Sequence, residues 1–245
     1  MFSSAPPIVI FSPARRVRDN TTKHTLQNVF EMPEVVVNIV TYDMVQQVSL
    51  SSCEYPKGTD EFVKAGFTKE KALMVAPPMV KESKAKLECR VQEIKSLGDK
   101  GGAGQLVIAE VLCMHINDDL ISADGKFMQE KMGHVARLGA DWYAKITAET
   151  LFRVKKPNVK LGIGLDALPD WMVNSKILTG NHLGQLANVE SVPARVDNFN
   201  DNRYTKLLTE FEGEELRKQC QWYAAELLND GRVDEAWQVL LISMP

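Results

Sequence analysis

Apolar positions fall into short runs and period-two alternations over the first half of the chain, and at helical spacing near its end. Pro6-Pro7 leads into IVIF (8 to 11), a short strand, and a polar segment follows over 12 to 25. Leu26, Val29 and Phe30 fall at helical spacing, and Pro33 stops that helix. VVVNIV (35 to 40) is β-branched and predicts a buried strand. Residues 41 to 59 are polar and serine-rich and predict loop. DEFVKAG predicts a short helix ended by Gly66. Leu87, Cys89 and Val91 then alternate with Glu88, Arg90 and Gln92. GDKGGAG (98 to 104) turns the chain and QLVIAEVLCMHI (105 to 116) returns, which makes a long hairpin. Its glycines precede a strand rather than a helix and lack GxGxxG spacing, so a hairpin turn is expected over a phosphate cradle. ADG (123 to 125) predicts a further turn without calcium-loop spacing.

Beyond Pro157 the texture changes. Residues 158 to 200 show little periodicity and read as an extended arm. In 201 to 245, Leu216, Cys220, Tyr223 and Leu227 share one helical face, and Val233, Ala236, Trp237 and Leu240 share another. Asn229-Asp230-Gly231 turns between them, so a helical hairpin is expected. It has no repeat elsewhere in the chain, so no solenoid is expected. Strands joined by short helices, without regular β-α alternation, predict a mainly antiparallel barrel over residues 1 to 157, followed by the arm and the hairpin.

Composition narrows the function classes. The chain has 245 residues, 44% of them apolar, and can bury a real core. A net charge of −3 argues against a general nucleic-acid binder. The sequence has no run long enough for a membrane helix and no secretory pattern at its start, so a cytoplasmic protein is expected. The four cysteines form no CxxC pair and the four histidines are scattered, which argues against a disulfide framework or a bound metal. Cys53 reads either as a redox thiol or as a plain loop cysteine.

The segment from 16 to 40, RVRDNTTKHTLQNVFEMPEVVVNIV, carries more hydrogen-bond donors than a turn needs. Its helix starts near Thr22 to Thr25, where backbone N–H groups and the helix dipole favour an anion. Lys23 adds a mobile charge, and Arg15, Arg16 and Arg18 offer fork-shaped donors. Chemistry alone leaves two readings: an anion cradle, or an exposed loop with a threonine cap and solvated arginines.

PPIVIFSPARR, KHTLQN, EVVVNIV, SLSSCEYPKGTDEF and RLGADWY resemble, in order, the signature stretches of the flavin reductase-like proteins. These are FMN-binding split β-barrels that include the flavoredoxins. The resemblance runs from residue 3 to about 157. Its lysine-x-threonine-leucine-x-asparagine pattern falls on Lys23, Thr25, Leu26 and Asn28, and implies that Lys23, Thr25 and Asn28 meet the FMN phosphate and ribityl chain. It further implies that Ser12, Arg15 and Arg16 lie beside the cofactor, and that Ser51 and Ser52 approach the flavin. Asn38 either reaches the flavin or satisfies a bulge. Gly139 and Tyr143 match the last barrel motif and could line the substrate side, with barrel packing as the other reading of Tyr143. Ser49 stands where the family often has asparagine.

Family members usually carry several dozen residues before the PPI strand, so this chain is expected to lack the family's N-terminal segment. The resemblance implies a homodimer with flavin at the interface, and electron flow from NAD(P)H through FMN to a small-molecule or redox-protein acceptor. No protein acid, base or nucleophile is required for that chemistry. The rival readings are an FMN electron carrier without nicotinamide use, and a flavin-free barrel acting as an interaction module.

Overall fold

The computed structural model describes residues 2–154, 161–197 and 199–241. They fall into two compact units, 1–152 and 153–245. The textural break at Pro157 lies outside the described residues.

The first unit is built on a five-stranded antiparallel sheet. Its strands are β1 (Ser3–Ser4), β2 (Pro7–Phe11), β3 (Glu34–Asn38), β6 (Ala85–Ser96) and β7 (Gln105–Ile116), in the order β1-β2-β7-β6-β3. Among the described residues this sheet stays open, with β1 and β3 at its edges. Two ribbons accompany it: β4 (Lys69–Glu70) with β5 (Met79–Val80), and β8 (Val135–Arg137) with β9 (Tyr143–Lys145). The expected hairpin is β6-β7, closing at Ser96 opposite Gln105. Along β7, Gln105, Val107 and Ala109 are buried in alternation, as a half-covered strand requires.

Helix α1 (His24–Glu31) buries Leu26 and Val29, the apolar stripe legible in the sequence. Helix α3 (Glu61–Ala65) starts at Asp60, whose carboxylate accepts from the Phe62 N–H at 3.0 Å, and ends at Gly66 with φ 70°.

Three expectations need correction. The serine-rich stretch 41 to 59 is not all loop, because Val45–Ser51 forms helix α2. Tertiary bonds override its weak propensity: Gln47 Nε2 donates to the Ala65 carbonyl at 2.9 Å, tying α2 to α3. The alternation on β6 fails at Glu88, which is fully buried beside fully buried Cys89, where a bulge shifts the register. The described residues between 158 and 200 do not form an extended arm. They hold α4 (Asp170–Val173) and α5 (Gly180–Leu186), the latter started by a Thr179–His182 capping box.

In the second unit, α4 and α5 share one core with α6 (Asn202–Glu210), α7 (Gly213–Asn229) and α8 (Val233–Leu241). Met172, Leu186, Cys220, Leu227, Trp237 and Leu240 are its centre. The turn between α7 and α8 is a Schellman motif. Arg232 N–H donates to Leu227 O at 2.8 Å, Gly231 N–H donates to Leu228 O at 3.0 Å, and Gly231 has φ 74°.

Candidate functional site

The donor-rich loop is held in shape by the β6-β7 turn. Arg15 N–H donates to Ala103 O at 2.9 Å and Gly102 N–H donates to Arg15 O at 3.0 Å. Asn20, at φ 56°, sends its amide to Asp99 O at 2.9 Å. The two backbones approach so closely at Gly101 that a Cβ there would stand 2.8 Å from Val17 O. Ser12 Oγ accepts from Gln105 N–H at 3.0 Å, fixing the loop's first residue to β7.

The arginines face inward to the loop. Arg15 Nε donates to Asn20 Oδ1 at 2.7 Å, and Arg16 Nη1 donates to Thr22 O at 2.7 Å and Thr21 Oγ1 at 3.0 Å. Glu54 pairs with Arg16 at 3.2 Å and with Arg18 at 2.5 Å, joining the loop to the end of α2. Arg15 and Arg16 therefore shape the segment. Lys23, Thr25 and Asn28 are exposed, and their side chains make no hydrogen bond or ion pair among the described residues. The first turn of α1 has neither a side-chain cap nor an acidic residue. That leaves a helix N-terminus whose donors, with Lys23, are open to an anion.

Gly101→Ala tests whether this scaffold matters. The added methyl has backbone on its far side and nothing flexible to displace, so 15–18 must shift. Affinity for inorganic phosphate at the start of α1 is expected to fall at least about fivefold, since displaced charge-assisted donors each carry about 1.5–3 kcal/mol. Gly184→Ala, in open space and without a positive φ, tests glycine replacement alone. Comparable loss in both variants would separate the effect from the close approach.

The remaining expected residues fall into two cavities. Asn38 and Ser51 line one of about 230 Å³, with Val40, Met44, Phe62 and Val80. Asn38 is already engaged: its Oδ1 accepts from Val80 N–H at 2.9 Å and its Nδ2 donates to Val36 O at 3.4 Å. Ser51 and Ser52 both donate to Val48 O, at 2.8 and 3.0 Å. Ser52 and Tyr143 line the other cavity, of about 620 Å³, between α2 and the β8-β9 ribbon. Gly139 sits at the ribbon's tip beside this cavity, and its carbonyl accepts from Trp142 N–H at 3.2 Å.

Sequence reasoning missed Tyr42, Arg137, Trp142 and Lys145 in this second cavity. The signal was the alternation in VAR and YAK. It puts Val135, Arg137, Tyr143 and Lys145 on one face of the ribbon and leaves Ala136 and Ala144 on the other.

Glu88, Cys113 and His115 form another cluster, on the sheet. Glu88 accepts from the N–H groups of Leu73, Met74 and Val75 at 2.9, 2.6 and 3.1 Å, and from His115 Nε2 at 2.5 Å. Desolvation pushes its pKa up, but the three backbone donors and His115 outweigh it, and the pKa is lowered. With both oxygens doubly engaged, the carboxylate has no lone pair left for a cation. Burial pushes the thiols of Cys89 and Cys220 up to about 11, which makes both inert. Cys53 is exposed just past α2.

The chain's relatives agree with this architecture. The family model of the flavin reductase like domain matches residues 1–134. An uncharacterized protein of Aquifex aeolicus is 30% identical over 149 residues, covering 61% of this chain and 74% of the relative. Nitrilotriacetate monooxygenase component B from Bacillus cereus superposes with a TM-score of 0.56 at 25% identity, over 62% of this chain and 74% of that one. A protein from Shewanella frigidimarina, described as a flavin reductase with a split barrel domain, gives a TM-score of 0.53 at 25% identity, over 63% and 73%. The chain belongs to the flavin reductase-like family, and its first unit has the split-barrel fold. Its class is that of flavoprotein oxidoreductases. Among the described residues no helix is long and apolar enough to cross a membrane.

Proposed function

We propose that this protein binds FMN and passes electrons from NAD(P)H through it to a small-molecule or redox-protein acceptor. The observation that carries this reading is the start of α1, where Lys23, Thr25 and Asn28 stand exposed and unpartnered beside an uncapped helix N-terminus. Those groups suit a phosphate monoester: the helix N–H groups and the dipole hold oxygens, and Lys23 supplies the charge. The loop they follow is fixed by Ser12, Arg15 and Arg16, so the donors are ordered before the ligand arrives.

FMN supplies the hydride chemistry when bound, and the chain's residues bind and orient it. Ser51 and Ser52, at the C-terminal end of α2, would approach the flavin, Asn38 would exchange its bond to Val80 for one to the ring, and Gly139 and Tyr143 would face the substrate. A homodimer is part of the reading: Leu138 and Phe152 leave apolar surface exposed for a second copy. The four unpaired cysteines suit a reducing compartment such as the cytoplasm.

Lys23→Ala tests the phosphate assignment. FMN affinity is expected to fall roughly tenfold or more, because a charge-assisted bond of 1.5–3 kcal/mol is lost. Riboflavin, which lacks the phosphate, should bind the variant and the parent alike. Fluorescence-quenching titrations of both ligands give the answer, and equal losses would remove the phosphate from Lys23. Anaerobic NAD(P)H should bleach the bound flavin. A yellow protein that does not bleach is an electron carrier instead.

A further inference from the structure

The 620 Å³ cavity between α2 and the β8-β9 ribbon has a chemistry of its own. From α2 come Val45, Gln46 and Ser49, and from its C-cap comes Ser52, on the same helical face. From the ribbon come Arg137, Tyr143 and Lys145, on one face by strand alternation. Trp142, at the ribbon's tip, is 75% exposed, and Tyr42 completes the aromatic part of the lining. The tip is shaped by Ala140, which sits at φ 51°.

The charges in this cavity are unbalanced. Arg137 and Lys145 are both cationic, and neither makes an ion pair among the described residues. Asp141 is the cavity's single acid, and it too has no ion pair there. Two like charges on one ribbon face repel, and a bound anion would relieve that repulsion. The Lys145 ammonium already covers the Tyr42 ring, 3.8 Å from its centroid, so a cationic ligand would find that aromatic face taken. Tyr143 and Trp142 offer flat apolar area, while Gln46, Ser49 and Ser52 offer hydrogen bonds at the rim. A cavity of this size lies within the range of small-molecule sites.

We infer that this cavity binds a planar aromatic molecule bearing a carboxylate, seated with its ring against the tyrosine and tryptophan side chains and its anionic group toward Arg137 and Lys145. That such a ligand is a substrate rests on the flavin reading above; that it binds does not. Arg137 would grip the carboxylate through its planar fork, and Lys145 would act as a point charge. Asp141 opposes the anion and would select against more highly charged ligands.

The test uses the full chain and two probes of equal shape, naphthalene-2-carboxylate and the uncharged naphthalene-2-carboxamide, titrated by calorimetry. The acid is expected to bind about tenfold tighter than the amide, the effect of one charge-assisted contact. Arg137→Gln should weaken the acid by about tenfold and leave the amide unchanged, and Lys145→Gln should act in the same direction. Asp141→Asn should tighten the acid by about two- to fivefold. Equal affinity for acid and amide, no binding of either, or an Arg137→Gln variant that holds the acid as tightly as the parent would overturn the inference. FMN is titrated in parallel. If FMN binds and the acid does not, the inference fails and the flavin reading stands. If the acid binds to a protein that takes no FMN, the flavin reading fails and the cavity assignment stands.

Discussion

Replacing Glu88 by glutamine should cost the first unit about 2–4 kcal/mol of stability at neutral pH. Every partner of this carboxylate is a donor: three backbone N–H groups from 73–75 and the His115 ring nitrogen. Glutamine keeps the shape but turns one oxygen into an NH2 that faces N–H groups, so at least one backbone donor loses its acceptor, and two do if the NH2 faces Met74 and Val75. The segment is also held by packing, since Ala72 and Val75 share a buried cluster with Met79, and Glu34 accepts from Ala76 N–H at 2.8 Å just beyond it.

The same contacts give the parent a pH dependence. The folded-state pKa of Glu88 lies below its unfolded value, so its contribution is complete above the unfolded carboxylate range, about pH 4.3. It is lost as the pH falls through the lower folded value. Denaturant unfolding of both proteins between pH 7 and pH 3 should show the parent losing more stability than the variant over the acid limb. A loss under about 0.5 kcal/mol at pH 7, or parallel acid limbs, would mean that the carboxylate does not hold the segment.

Glu88 also marks the limit of what the sequence discloses. The alternation around it was legible, and so was the hairpin, because both follow from a period of two and a glycine turn. A bulge is not legible, since it depends on which residue the partner strand leaves unpaired, and at Glu88 it buries a charge that the pattern points outward. The loop of 16 to 23 was legible as donor-rich but not in the direction of its donors. Arg15 and Arg16 bond to their own loop, while the exposed Lys23, Thr25 and Asn28 side chains stay open among the described residues. The α4-α5 stretch carried a signal that composition hid. Thr179 and His182 form a capping box ahead of Leu183 and Leu186, within a segment whose glycines and asparagines read as irregular. The second cavity draws on residues a hundred positions apart, and nothing local links Tyr42 and Ser49 to Arg137.

Two tryptophans of the second unit differ sharply in burial. Trp237 is fully buried among Leu186, Cys220, Ala224 and Leu240, and its Nε1 donates to Leu186 O at 3.2 Å. Trp222, on α7, is half exposed. Trp237→Ala is therefore expected to destabilise this unit by about 3–5 kcal/mol, from lost transfer energy and the cavity left behind. A domain of this length has a total stability of only about 5–15 kcal/mol. Trp222→Ala, on a surface that stays wet, should cost less than about 1 kcal/mol. Hydrogen exchange read by mass spectrometry distinguishes the two. In the Trp237 variant, amides of α5, α7 and α8 should lose protection together, because the same core holds all three. In the Trp222 variant they should keep it. Equal protection in the two variants would mean that the α5-α7-α8 core does not depend on Trp237. The burial of this indole would then not be what holds the second unit together.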